Sequence, residues 1–560
     1  VWNRVGTQIL LREETRSLAN LTEVLMNRRD LLLSTVALAL PAMLPAAPAQ
    51  AAESVLRVAT TLADIPLTTG QPSQGAEGQR FIGLQLYDAL INWDLSHADR
   101  AARLQPGLAL SWAVDEATRK TWTFRLREGV TFHDGSAFTA ADIIWNLDKL
   151  IRRDAPQFDQ LQSVQGVSYV LNIESYAVID PLTVTITTKQ PDAVFPYLIS
   201  NVYISGPRRW EELGRDWKRV ADRPSGTGPW MMDRLVPRQR AELVRNAAYW
   251  DKARIPKADR QILLVVPDGN TRVSALLSGQ VDWVEAPAPD AVERLRGAGM
   301  QVVTNLYPHI WPYQVSFTPD SPLRELKVRQ ALNLGVNRDE LCALLGGTAM
   351  PAKGMVDEKH PWFGNPSFKI TYDPARAKAL MTEAGYGPNK RLRLKAIVSP
   401  AGSGQMQPMP MNEFIQESWR AIYVDLDLEV MEWEALRARR RSGAQAAENK
   451  GMHFINNSWG YWDPAIGLTG PALSRGKSSS DRNWGGYEDA EADRLAEAAT
   501  LAFDPAEQDR LLAKLHERIV DQAMWIWFVH DLNPRALAPK VTGFVQAQSW
   551  YQDLTTVSPG

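Results

Sequence analysis

The chain has 560 residues, 45% of them hydrophobic and 22% charged, with 62 basic against 64 acidic side chains. Such a composition belongs to a globular protein long enough for two or more lobes, and the near-zero balance excludes a basic field for nucleic acid. Cys342 is the only cysteine, which excludes an internal disulfide; set among Leu341, Leu344 and Leu345, it reads as a small core residue.

Near the N-terminus, Asn27-Arg28-Arg29-Asp30 precedes an apolar run from Leu31 to Leu44 that Pro41 interrupts. Small residues follow at Ala47-Pro48-Ala49 and Ala49-Gln50-Ala51. A basic stretch, a short apolar stretch and a small-residue cleavage site make a signal peptide over 26–52. The apolar run is too short to span a bilayer. Paired arginines ahead of a leucine run resemble a twin-arginine signal, the alternative being an ordinary Sec signal. No cysteine lies near the cleavage region, so the expected product is periplasmic, Gram-negative in source and not lipid-anchored. Met26 is expected to be the true start, with 1–25 an upstream extension that carries no fold.

Strands are expected at Val55–Ala59, Leu182–Thr188, Ile262–Val266, Leu392–Val398 and Leu426–Val430, each rich in Val, Ile, Leu and Thr. Thr121 to Asp148 reads as strand, turn and helix. Trp122, Phe124 and Leu126 alternate with polar neighbours, His133-Asp134-Gly135-Ser136 is turn chemistry, and Thr139 with Asp142 forms a capping box ahead of Ile143, Leu147 and Leu150. Further helices are expected near 271–278, 373–384 and 504–522; Asp373-Pro374 is an N-cap with proline at the first helical position, and Gly385 a stop. Strands alternating with capped helices argue for α/β lobes with mixed sheets.

Catalytic and metal chemistry is scarce. The chain has no G-x-S-x-G, H-E-x-x-H or C-x-x-C. Gly470 to Ser478 has five residues between its glycines, where a phosphate loop has four, and it follows no strand. The seven histidines include no pair at helical spacing; His453 is the one nearest a candidate site, and a structural role is expected for it. Tryptophan, at 20 residues, is the compositional outlier. Trp459-Gly460-Tyr461-Trp462-Asp463-Pro464 ends an apolar strand and enters a loop.

Seven stretches in order resemble family 5 of the extracellular solute-binding proteins, the dipeptide, oligopeptide and nickel receptors of ABC importers. They are Trp122 to Gly135, Ser225 to Trp230 (SGTGPW), Arg245 to Trp250 (RNAAYW), Ala275 to Asp282, Val328 to Arg338, Tyr372 to Tyr386 and Phe503 to Gln522. The resemblance implies a two-lobed periplasmic-binding-protein fold. Its first lobe would be 53–305, with an insert subdomain at about 86–199, and its second lobe 306–524. Residues 525–560 would return to the first lobe, and Tyr307 to Phe317 would cross near a hinge. It also implies a monomer without cofactor that captures a peptide-like solute in the interlobe cleft and delivers it to a permease and ATPase complex. A receptor for a metal chelate or haem is the alternative within the class; a secreted hydrolase, or a chaperone or sensor on the same fold, are the alternatives outside it. The family resemblance further implies that a segment such as Trp459 to Pro464 lines the ligand cleft, with Trp459, Trp462 and Asp463 as the candidate ligand-binding residues. In the family, an Asp three residues after the tryptophan at this position pairs with a peptide ammonium. Here that place is held by Trp462, so the carboxylate is shifted to Asp463 or absent.

Replacing Arg28 and Arg29 together by lysine is expected to block export of the mature protein, measured by cell fractionation. Undiminished export would assign the segment to the Sec route.

Overall fold

The computed structural model describes residues 53–61, 65, 79–402 and 404–560. The expected extension (1–25) and signal peptide (26–52) lie outside these described residues. Among the described residues, two mixed sheets of seven strands each build two lobes. In spatial order the first sheet holds Gln301–Val303, Arg535–Leu537, Trp283–Glu285, Val55–Thr60, Arg260–Val265, Arg240–Arg245 and Trp230–Val236. Val55–Thr60 runs parallel to both of its neighbours, while the outer strands are antiparallel. Its buried face supplies Leu56 and Val58 to a core shared with Leu263, Trp283, Leu554 and Val557.

The second sheet runs Ala349–Pro351, Trp525–Asp531, His309–Val315, Phe454–Asn456, Leu392–Val398 and Val424–Val430, and Trp459–Gly460 also pairs with His309–Val315. Every residue of His309–Val315 and of Trp525–Asp531 is buried, as suits central strands covered on both faces. Pro312 donates no backbone hydrogen bond, and the ladder shifts register between Trp311 and Pro312, the place where a sheet tolerates proline. This pairing corrects one expectation. The return to the first lobe was expected at 525, but Trp525–Asp531 is a strand of the second sheet and only Arg535–Leu537 rejoins the first. An apolar run reveals that a strand is central without revealing which sheet owns it. The second crossing therefore lies at 532–534.

A subdomain of the first lobe carries its own antiparallel sheet, in the order Ala109–Val114, Thr121–Leu126, Thr183–Thr188 and Ile173–Asp180, with the helices Ala140–Ile151 and Gln160–Val170 packed on it. Trp122, Phe124 and Leu126 are buried as their alternation predicts. Thr139 and Asp142 form the capping box that starts the first of these helices. Asp373 and Asp504 accept the amides of Arg376 and Glu507 and so start Pro374–Glu383 and Pro505–Asp521. The helix expected from 271 begins earlier, as Gly269–Leu277, because Asp268 caps it by accepting the Thr271 amide; Asp-Gly-Asn is turn chemistry when read as sequence alone.

Two of the family-like stretches meet at one buried carboxylate, Asp88. Its oxygens accept Thr227 Oγ1 and Tyr249 Oη, both at 3.0 Å, Trp250 Nε1 at 2.8 Å and Asn92 Nδ2 at 3.1 Å. Gly226 and Gly228 let this turn lie against the backbone of Leu86, which a Cβ at either position would strike. His133 Nε2 closes the cluster on the Gly228 carbonyl at 3.0 Å. Asp88→Ala would leave four donors facing an apolar interior, at a penalty of about 3 kcal/mol. A lower urea midpoint is the expected outcome, and an unchanged midpoint would show that water replaces the carboxylate.

Candidate functional site

The strand His309–Val315 begins at the lobe boundary, where Ile310 and His309 pair with Trp459 and Gly460. That short pairing fixes the direction in which 459–463 leaves the second sheet. Alternation then separates the three candidate residues. Trp459 turns into the second lobe. Its ring meets Trp525 edge-on at 5.6 Å, its Nε1 donates to the Ile466 carbonyl at 3.0 Å, and the Arg440 guanidinium lies 5.2 Å from its ring centre. It is a core residue of that lobe, not a wall of the cleft, and this corrects the expectation for it.

Trp462 points the other way. Its ring lies parallel to that of Trp550, centroids 4.8 Å apart and planes 7° apart. Trp550 belongs to a first-lobe cluster with Trp93, Leu95, Tyr307 and Tyr551. On the hinge side, His309 lies 5.5 Å from Trp462, and Tyr307 stacks on His309 at 4.4 Å. Burial, followed by the charge of Arg80, pushes the His309 imidazole down to about 3, so it is neutral at physiological pH. Beside this array lies a cavity of about 30 Å³, bordered by Trp93, His360, Tyr461, Trp462 and Gln548, which is room for about one water molecule.

Asp463 follows Trp462 and is wholly buried. One oxygen, Oδ1, accepts the Ile466 amide at 2.8 Å and caps the turn that follows. The other, Oδ2, is buried without a hydrogen-bond partner among the described residues. Burial pushes the carboxyl up to about 6, against the opposing pull of the Ile466 amide, of Arg482 and of the Ala465 amide. Burial and the Asp463 charge together push the Tyr169 hydroxyl, on the first-lobe subdomain, up to about 12. Asp463 is thus a carboxylate at the lobe boundary with one oxygen hydrogen-bonded and the other buried without a hydrogen-bond partner among the described residues.

Among the described residues no group of three or more His, Cys, Asp or Glu could hold a metal ion. His453 serves the sheet instead: its Nδ1 accepts the Lys395 amide at 3.0 Å and its carbonyl accepts the Ser316 amide at 2.9 Å. Trp550 and Trp93 escape a reading of the sequence as site residues. The signal was present for Trp550, an aromatic pair with Tyr551 in a segment expected to rejoin the first lobe, but nothing local says which ring it meets.

Residues 103–479 match the sequence profile of the bacterial extracellular solute-binding proteins, family 5, middle region. The glutathione-binding protein GsiB of Salmonella typhi is 26% identical over 522 residues, covering 88% of this chain and 95% of that protein. The heme-binding protein A of Haemophilus influenzae is 26% identical over 498 residues, covering 85% and 87%. Among solved structures, a dipeptide binding protein of Pseudoalteromonas in complex with Met-Leu superposes with a TM-score of 0.76 at 21% identity, covering 90% of this chain and 99% of that one. The superposition with the dipeptide binding protein covers 90% of this chain and shows the same fold. The chain belongs to the bacterial extracellular solute-binding proteins of family 5.

Proposed function

We propose that this protein is the receptor of an ABC importer for short peptides or peptide-sized organic solutes that carry a positive charge. Solute enters between the lobes, the lobes close on it, and the closed form docks on the permease and its ATPase. The protein works outside the cytoplasmic membrane, free of a lipid anchor and as a monomer, and does no covalent chemistry. One observation carries the reading of the solute: Asp463 Oδ2 is buried and unpartnered among the described residues, at a boundary where both lobes contribute aromatic rings. An ammonium placed there would supply the charge-assisted bond that the carboxylate lacks. Relatives whose names specify glutathione, heme and a dipeptide support a ligand of this size without selecting one.

A thermal-shift screen of the mature protein against dipeptides, glutathione, haemin and sugars tests the proposal, followed by calorimetry on the strongest hit. At a hundredfold excess over Kd, a true ligand raises stability by about 2.7 kcal/mol. Asp463→Asn is expected to weaken a cationic ligand about tenfold or more. Tightest binding by haemin, indifferent to Asp463→Asn, would replace the peptide reading with a chelate receptor.

The sign of the pH dependence follows from Asp463. Its carboxyl is raised to about 6 from an ordinary value of 3.8, so between those values the folded protein holds a proton that the unfolded chain has lost. Stability of the ligand-free protein therefore falls as pH rises through that window and levels off above it. A bound cation favours the ionised form, so binding releases the proton below about pH 6. Calorimetry is expected to show affinity falling up to about tenfold per pH unit there; a flat profile from pH 7 to pH 5 would remove Asp463 from the site.

A further inference from the structure

Trp462 and Trp550 belong to different lobes, yet each is supported from behind. A side-chain carbon on Gly460 would overlap the six-membered ring of Trp462. The position of that indole therefore depends on glycine at 460. Trp550 is braced by Tyr551 at 5.1 Å and 67°, and the Tyr551 hydroxyl donates to Asn201 Oδ1 at 2.6 Å. The two braced faces meet at 4.8 Å across the lobe boundary. When the lobes part, both faces are uncovered together. Trp462 Nε1 is buried without a partner among the described residues, so a donor lies in the plane of the ring as well. Asp463, with its unpartnered oxygen, is the next residue in the chain.

Resting on the receptor reading above, we propose that Trp462 and Trp550 are the two walls of a slot for a flat aromatic or heteroaromatic ring of the ligand. The ring enters between the indoles as the lobes close. In the ligand-free closed form the walls meet each other, an offset stack that costs little to open because a ring of similar polarisability replaces it on both sides. Gly460 and Trp550 are then specificity residues. Gly460 sets the angle of one wall, and Trp550 is the other wall, contributed by the opposite lobe. The class of solute is narrowed accordingly, to a flat ring close to an ammonium, as in an aromatic amine or a peptide with an aromatic N-terminal residue.

The test compares two amines of equal charge and similar size, phenethylamine with a flat ring and 2-cyclohexylethylamine with a puckered one, by calorimetry on the mature protein. Wild type is expected to prefer phenethylamine by about tenfold. Trp550→Ala and Gly460→Ala are each expected to reduce that preference to near unity. If either variant loses its folding transition, Trp550→Leu keeps the apolar volume, removes the flat face and serves the same comparison. Equal affinity for the two amines in wild type overturns the slot, and so does a preference that survives Trp550→Ala and Trp550→Leu, or failure of both amines to bind. A parallel arm with Leu-Leu and Phe-Leu keeps the two readings apart. Leu-Leu bound as tightly as Phe-Leu would leave a peptide receptor without a ring slot. Discrimination between the amines with no dipeptide bound would leave the slot and remove the peptide.

Discussion

Glu285 ends a central strand of the first sheet with its carboxylate wholly buried, and guanidinium groups from Arg80 and Arg535 close on it, Arg535 at 3.5 Å. Burial alone would raise this carboxyl; Arg80 and Arg535, with the amide and hydroxyl of Thr61, overcome that and hold it at about 2. The cluster sits where the chain passes between lobes. Arg80 reaches the Tyr307 hydroxyl at 3.1 Å on the first crossing, and Arg535 lies just beyond the second. The two crossings are laced together by the amides of Asn305 and Tyr307, which donate to the carbonyls of Leu532 and Asp531 at 3.2 and 3.0 Å. A buried ion cluster of this kind adds little net stability, but removing one member strands the other charges in an apolar interior. The cluster ties Arg80 and the two chain crossings to one buried carboxylate.

Beyond the ion cluster, the lobes also meet at places of different chemistry. The aromatic array around Trp462 and Trp550 lies close to the hinge. At the subdomain edge, Phe503 of the second lobe stacks on Trp122 at 6.1 Å and lies 5.1 Å beneath the Arg119 guanidinium. There the Ala193 amide donates to the Thr500 carbonyl at 2.8 Å. The aromatic array and the contact at the subdomain edge share no residue, so one can vary without the other.

Local chemistry was legible in the sequence. The capping box at Thr139, the caps at Asp373 and Asp504 and the alternation of Trp122, Phe124 and Leu126 each depend on residues a few positions apart. The buried arginines of the Val328 to Arg338 stretch were legible only as a motif. Their role is nonlocal: Arg329 donates to the carbonyls of Leu323, Arg324, Gln522 and Ala523, and Arg338 to those of Asn333, Val336 and Trp527. The same limit explains the misplaced lobe boundary at 525 and the misreading of Trp459. Sequence pattern marks two tryptophans three residues apart as apolar. Which of them faces the other lobe is decided by the pairing of Gly460 with His309, a partner some 150 residues away.

The order of the chain through the two lobes also bears on how the molecule can be made. The second sheet is built from one continuous stretch, from His309 to Asp531. The first is not: Leu554 and Val557 pack in the same core as Leu56 and Val58. A chain delivered from its N-terminus can complete the second lobe while the first still exposes an unfinished core. Loops that close so late are slow to form and leave apolar surface uncovered in the interval. The lobe that is begun first is thus finished last, and the segment that completes it is the one that brings Trp550 against Trp462.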